Sequence, residues 1–141
     1  MQGISCFPSD PNVGKHRISS MSSLSSLAGI DRFPCLSKVR LCYLRSLTDA
    51  QSLTAVYDTL RELTIDNCSR IRDFSFLYQL TQLRILNLIG NNKLPNLSFL
   101  SQMPQLEAFR FSVEIEDGNL SLCKRIKNVR CLRRRKHYTA L

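Results

Sequence analysis

Histidine is nearly absent from this 141-residue chain, with two in all, and both stand in the terminal regions, at His16 and His137. Neither has a patterned nucleophile nearby, which removes the usual base for Ser- or Cys-centred catalysis. The six cysteines, Cys6, Cys35, Cys42, Cys68, Cys123 and Cys131, contain no CxxC pair and no adjacent histidine, so a zinc site of ordinary spacing is excluded. They read as reduced thiols of a cytosolic protein. No apolar run approaches the length of a membrane-crossing helix, and no apolar block follows the N-terminus as a secretory signal would require. A cytoplasmic location follows as the expectation, and it deprives the acceptor tripeptides at Asn67, Asn96 and Asn119 of meaning. Asn12-Val13-Gly14-Lys15-His16 is half of a phosphate-binding loop, but Ser9 replaces the first glycine and His16 the closing hydroxyl residue, so it is rejected. The remaining polar cluster, Glu114, Glu116 and Asp117, falls on a turn, where a structural loop or a contact to nearby basic residues explains it better than acid–base chemistry. The sequence therefore predicts no enzyme, no cofactor and no metal.

What the chain does contain is a repeat. Leu60, Leu63, Ile65, Cys68, Ile71, Leu77 and Leu80 recur 23 residues later as Leu83, Leu86, Leu88, Asn91, Leu94, Leu100 and Met103. A third copy begins at Leu106, Phe109 and Phe111, with Glu114 where Asn or Cys is expected and Asp117-Gly118-Asn119 as a turn cluster. Upstream, Leu36, Val39, Leu41, Leu44, Leu47 and Leu53 form a copy 24 residues before Leu60; downstream, Ile126, Val129 and Cys131 end a shortened coil. A period of this length means stacked coils, each with an apolar side that only its neighbours can cover.

Within each coil the LxxLxL segment points its apolar residues inward from a turn and a short strand. Five strands are predicted, at residues 36–43, 60–67, 83–90, 106–113 and 126–132, forming a parallel ladder roughly 20 Å wide at a strand spacing of about 4.8 Å. The position of Cys68 and Asn91, where the chain leaves the strand, suits a side chain that hydrogen-bonds backbone of neighbouring coils. The return segments starting at Asp73 and Asn96 have room only for short helical or 3₁₀ turns, each opened by a residue able to cap. Asp49 to Leu60, with Ala50, Leu53, Val56, Tyr57 and Leu60 at helical period, is expected to be helical. The fold class is thus an α/β solenoid of about five coils, with the ladder on its concave face and the turns on its convex face.

In domain terms, residues 1–17 read as a loose segment, 18–35 as an N-terminal cap with Ile18, Met21, Leu24 and Leu27 at three-residue spacing, 36–132 as the repeat domain, and 133–141 as a basic tail. The formal charge of +9 is concentrated in Lys124, Arg125, Lys127, Arg130, Arg133, Arg134, Arg135 and Lys136, eight of the 20 basic residues in one window without an acid. That window reads as a solvated cap, a contact for an acidic protein, or a nucleic-acid phosphate site. The outward strand positions define a second candidate: Lys38, Arg40, Cys42, Tyr43; Glu62, Thr64, Asp66, Asn67; Ile85, Asn87, Ile89, Gly90; Ala108, Arg110, Ser112, Val113; Asn128, Arg130, Leu132 and Arg133. Among them Arg40, Tyr43, Glu62, Asp66, Ile85, Asn87, Ile89, Arg110, Arg130 and Arg133 are the expected partner-binding residues, with Ile85 and Ile89 as an exposed apolar centre inside a charged rim.

On these residues, 33–132 resemble the leucine-rich-repeat superfamily, closest to its short-repeat class with 3₁₀-type convex turns. Cys68-Ser69-Arg70-Ile71-Arg72-Asp73 also resembles the cysteine-containing repeats of ubiquitin-ligase adaptors, although an adaptor needs an upstream ligase-docking helix pair for which residues 1–32 are too short and too serine-rich. The segment from Leu94-Pro95-Asn96-Leu97-Ser98-Phe99-Leu100 to Lys136-His137-Tyr138 is similar to the C-terminal part of small bacterial cytoplasmic repeat proteins, a group that includes immunity proteins which bind a cognate toxin. The resemblance implies a non-catalytic protein-binding module, with a toxin as one form of partner. The alternative is a nucleic-acid-associated protein acting through the basic C-terminal edge; no membrane partner is expected.

Overall fold

The computed structural model of the chain describes residues 25–33 and 35–139. The expectations for residues 1–17, and for Ile18, Met21 and Leu24 of the cap, lie outside the described residues.

Five strands, β1 (Lys38–Cys42), β2 (Glu62–Asp66), β3 (Ile85–Ile89), β5 (Ala108–Phe111) and β7 (Asn128–Cys131), form one parallel sheet in the order β1-β2-β3-β5-β7. Strict register follows from the repeat. Val39, Leu63, Leu86, Phe109 and Val129 are aligned in one inward row, and Leu41, Ile65, Leu88, Phe111 and Cys131 in the next. A slip of one residue would turn each of these rows to solvent, so burial fixes the pairing. All these inward side chains are fully buried on β1 to β5; Val129 and Cys131, on the edge strand, are half-buried because among the described residues no further coil covers them.

The first three strands leave the ladder through a residue in the left-handed region: Tyr43 at φ 57°, Asn67 at φ 55° and Gly90 at φ 132°. Their N–H groups continue the ladder, Tyr43 to Asp66 O at 2.7 Å, Asn67 to Ile89 O at 2.9 Å and Gly90 to Ser112 Oγ at 2.8 Å. On the convex side the returns are 3₁₀ turns at Gln51–Val56, Ser75–Gln79, Ser98–Gln102 and Ser121–Arg125. One device opens all four. Asp49, Asp73, Asn96 and Asn119 each accept a hydrogen bond from the backbone N–H two residues on, at 2.8 to 3.0 Å. These Asx turns satisfy a backbone donor that a short turn leaves exposed. At Asp73 the Ser75 backbone N–H and hydroxyl also hold the carboxyl below its ordinary pKa.

Three expectations are corrected. The stretch from Asp49 to Leu60 contains a six-residue 3₁₀ turn instead of an extended helix. A coil of this length has to recross the stack within about a dozen residues, which the 3₁₀ rise of about 2.0 Å per residue covers and a compact α-helix does not. Ala50, Leu53, Val56 and Leu60 are buried as the period requires, but Tyr57 turns outward. The ladder asparagine is Asn92 and not Asn91. Asn91 is exposed, whereas Asn92 is buried and donates its Nδ2 to Cys68 O at 3.0 Å and Ile71 O at 2.9 Å. The phase slips by one residue after Gly90 and recovers at Leu94. Cys42 and Val113, assigned to the outward set, are buried.

A short second ladder, β4 (Lys93–Leu94) with β6 (Glu114–Ile115), lies beside the main sheet and was not anticipated. The first coil is closed by the 3₁₀ turn Ile30–Arg32, with Leu27, Ile30 and Phe33 buried at three-residue spacing against the Gln51–Val56 turn. At the other end, residues 133–139 fold back over the fourth coil. Tyr138 is buried, its hydroxyl donating to Val113 O at 3.2 Å and accepting from Ile115 N at 2.9 Å. Thr139 N–H donates to Gly118 O and Thr139 Oγ1 accepts from Leu120 N, both at 2.9 Å. Gly118 sits at φ 67°, and a Cβ there would lie 2.3 Å from His137 O, so glycine is required by both the turn and the approach of this segment.

Candidate functional site

The outward positions of the ladder form rows across the strands, because residues that share a register share a height. One row runs Lys38, Glu62, Ile85, Ala108, Asn128, and the next runs Arg40, Thr64, Asn87, Arg110, Arg130. Asp66 and Ile89 are neighbours in the third. Between them lies a concave hollow of about 390 Å³ lined by Lys38, Arg40, Glu62, Thr64, Asp66, Asn87, Ile89 and Arg110. Six of the ten expected partner-binding residues, Arg40, Glu62, Asp66, Asn87, Ile89 and Arg110, are therefore brought to one place.

The other four are arranged around it. Ile85 stands in the Glu62 row, half-buried; Ile89 is half-buried too, so the exposed apolar centre expected of this pair is replaced by two isoleucines partly covered by their neighbours. Side chains on a concave strip converge, and in the register Ile85 lies between Glu62 and Ala108 while Ile89 stands beside Asp66. Arg130 extends the central row onto the edge strand. Tyr43 stands at the strand exit, 56% exposed, and Leu132, 47% exposed, follows β7. Tyrosine in left-handed backbone costs roughly 1–2 kcal/mol, which the ladder bond from its own N–H helps to offset. Arg133 leaves the ladder and reaches back to Asn91 Oδ1 at 3.5 Å. Lys38 and Thr64 complete the hollow; alternation placed them on this face, and only the register shows that they share its floor.

Charge on this face is unevenly satisfied. Glu62 is paired with Lys38 at 3.1 Å, both side chains more than a third exposed, so the pair adds little stability. Asp66 Oδ1 accepts from Asn67 Nδ2 at 2.6 Å. Asn87 donates its Nδ2 to Thr64 Oγ1 at 3.0 Å, while its Oδ1 is buried and has no partner. The side chains of Arg40, Arg110 and Arg130 take part in no hydrogen bond or ion pair among the described residues.

The basic C-terminal stretch divides in two. Arg135 turns inward, donating Nη2 to Ser112 O at 3.3 Å and standing 3.8 Å from the Glu114 carboxylate, with its Nε buried. Glu114 is thereby accounted for as a contact to the basic segment. Lys124, Arg125, Lys127, Arg130, Arg133, Arg134 and Lys136 are exposed. Burial raises the Cys68 thiol above the ordinary range and pushes Cys123 up to about 11, with Cys131 adding to the latter, which disfavours the thiolate at both. Among the described residues no three metal-ligating side chains come together, and no helix is long and apolar enough to cross a membrane.

A parallel ladder of coils 20 to 24 residues long with 3₁₀ returns has the fold of a leucine-rich-repeat solenoid. No family model and no curated protein matches the sequence. Among solved structures 19 chains match; one is an internalin from Listeria monocytogenes, at 14% identity and a TM-score of 0.41, over 89% of this chain. The chain spans 54% of that protein's length. At that overlap the likeness carries no argument about what this chain binds.

Proposed function

We propose that the chain is a non-catalytic binding module that captures one protein partner on its concave face, and that in its most concrete form it is an immunity protein that occludes a cognate toxin. The observation that carries the reading is the central row of the ladder, where the side chains of Arg40, Arg110 and Arg130 project from a five-stranded sheet without partners among the described residues. Uncompensated, rigidly held arginines around a shallow hollow are the composition of an interface anchor. The hollow is open and polar, more suited to a protein surface than to an enclosed small molecule. The toxin as partner rests on the resemblance of residues 94–138 to small bacterial repeat proteins, and neutralisation would then be simple mass action.

A partner recovered from the native host by affinity capture supplies the test. Ile89→Asp combined with Arg110→Glu is expected to weaken its binding about 100-fold, corresponding to the loss of one interface hot spot. The thermal melt should stay close to that of the parent, since neither side chain is in the core. Unchanged affinity in a calorimetric titration would remove the concave face as the site.

A second reading, nucleic-acid binding through the C-terminal edge, is favoured by the seven exposed basic side chains from Lys124 to Lys136. It is weaker because these residues are not matched by stacking aromatics: Tyr138 is buried, where a base cannot reach it.

A further inference from the structure

Arg110 and Arg130 are register partners on adjacent strands, β5 and β7, both exposed, on the same outward row. Adjacent strands stand about 4.8 Å apart, and like charges directly opposite each other destabilise a sheet. Among the described residues no acidic side chain pairs with either arginine. Glu62 belongs to Lys38, Asp66 accepts from Asn67, and Glu114 faces Arg135. One strand over, Asn87 is the register partner of Arg110 and carries a buried oxygen without a donor. Rotating that amide lets the Thr64 hydroxyl donate to Oδ1 and places two amide donors where the orphaned acceptor stands.

The geometry points to a carboxylate-binding site at this end of the row: Arg110 and Arg130 together grip an acidic side chain of the protein partner, with Asn87 beside them on the floor of the hollow. The inference rests on the concave-face reading and names the chemistry that the partner must bring. Two guanidiniums can share one carboxylate, whose oxygens offer about four acceptor sites, and binding removes the repulsion that the free protein carries. A continuous phosphate backbone fits less well. A strand of nucleic acid laid along the row would pass the Glu62 carboxylate on one side and that of Asp66 on the other, while a single carboxylate at the Arg110 end avoids both.

The test titrates the full chain with an acetylated, amidated hexaglutamate peptide at low ionic strength while the arginine Nε–Hε signals are followed by NMR, with a deoxythymidine 12-mer as a parallel arm. Hexaglutamate is expected to move the signals of Arg110 and Arg130 and the side-chain amide of Asn87. The double variant Arg110→Gln, Arg130→Gln is expected to bind the peptide about tenfold or more weakly. It should also melt no lower than the parent at low salt, and a lower melting temperature would show that the arginines are structural and overturn the proposal. Shifts confined to Arg133, Arg134 and Lys136, or tighter binding of the oligonucleotide at the same arginines, would overturn it as well. Thr64→Trp, which plugs the floor of the hollow, separates the two levels. If it abolishes peptide binding while the double variant does not, the carboxylate site falls and the concave face stands; if neither variant affects binding, both fall.

Discussion

Tyr138→Ala is expected to lower the unfolding free energy by about 4 kcal/mol, in the upper part of the range for removing a buried aromatic side chain. The ring covers the end of the core, 6.3 Å from Phe111 between centroids, and the residue is buried although the flanking Lys136, His137 and Thr139 are exposed. Its hydroxyl bridges Val113 O and Ile115 N, so truncation leaves two buried backbone groups without partners besides opening a cavity. Tyr138→Phe separates the contributions: it keeps the ring and should cost about 1–2 kcal/mol. Urea titration followed by circular dichroism measures both. A loss below that of the phenylalanine variant would mean that residues 133–139 are a tail and not the closure of the stack. The same packing makes deletion of these residues a poor probe of charge, because it removes the closure along with Arg133, Arg134 and Lys136.

The second large effect is expected at Phe109→Ala, about 3–5 kcal/mol by the same measurement. Phe109 is fully buried in the inward row between Leu86 and Val129 and stacks on Phe111 at 4.8 Å with an interplanar angle of 14°. It also meets Phe99 edge to face at 6.3 Å, and Phe99 meets Tyr78 at 6.4 Å. A line of aromatic rings thus runs from the convex returns through the fourth coil to Tyr138. A typical domain has only about 5–15 kcal/mol of stability, so the loss would bring this one close to unfolding. Leu86→Ala, at the aligned inward position one strand earlier, removes no ring and should cost less, about 2–4 kcal/mol.

The ladder was legible because its cause is local and periodic: an LxxLxL segment can bury its three apolar side chains on one side only, and all five predicted strands enclose the observed ones to within a residue or two at each end. Asp73 and Asn96 announced their turns for the same reason, and Asp49 and Asn119 carry the same signal. What was hidden depends on contacts between coils. Asn92 replaces Asn91 because the backbone after Gly90 shifts phase, which a 23-residue alignment does not register. The β4–β6 ladder requires two loops 21 residues apart to meet, and Tyr138 is buried by folding back across 23 residues to Ile115, inside a stretch whose composition reads as solvated. The outward rows could be written down from alternation alone. Which of their charges are left unpaired could not, since the partners of Glu62 and Asp66 are settled by register and side-chain reach.

The central claim, a solvent-facing row held in register by a parallel ladder, is tested most directly by cross-strand nuclear Overhauser contacts in the free protein. Backbone contacts linking Thr64 to Asn87, Asn87 to Arg110 and Arg110 to Arg130 are expected, with Leu63, Leu86, Phe109 and Val129 linked in the same way on the inward row. A network of sequential helical contacts over residues 60–132, without these cross-strand pairs, would contradict both the fold and the site built on it.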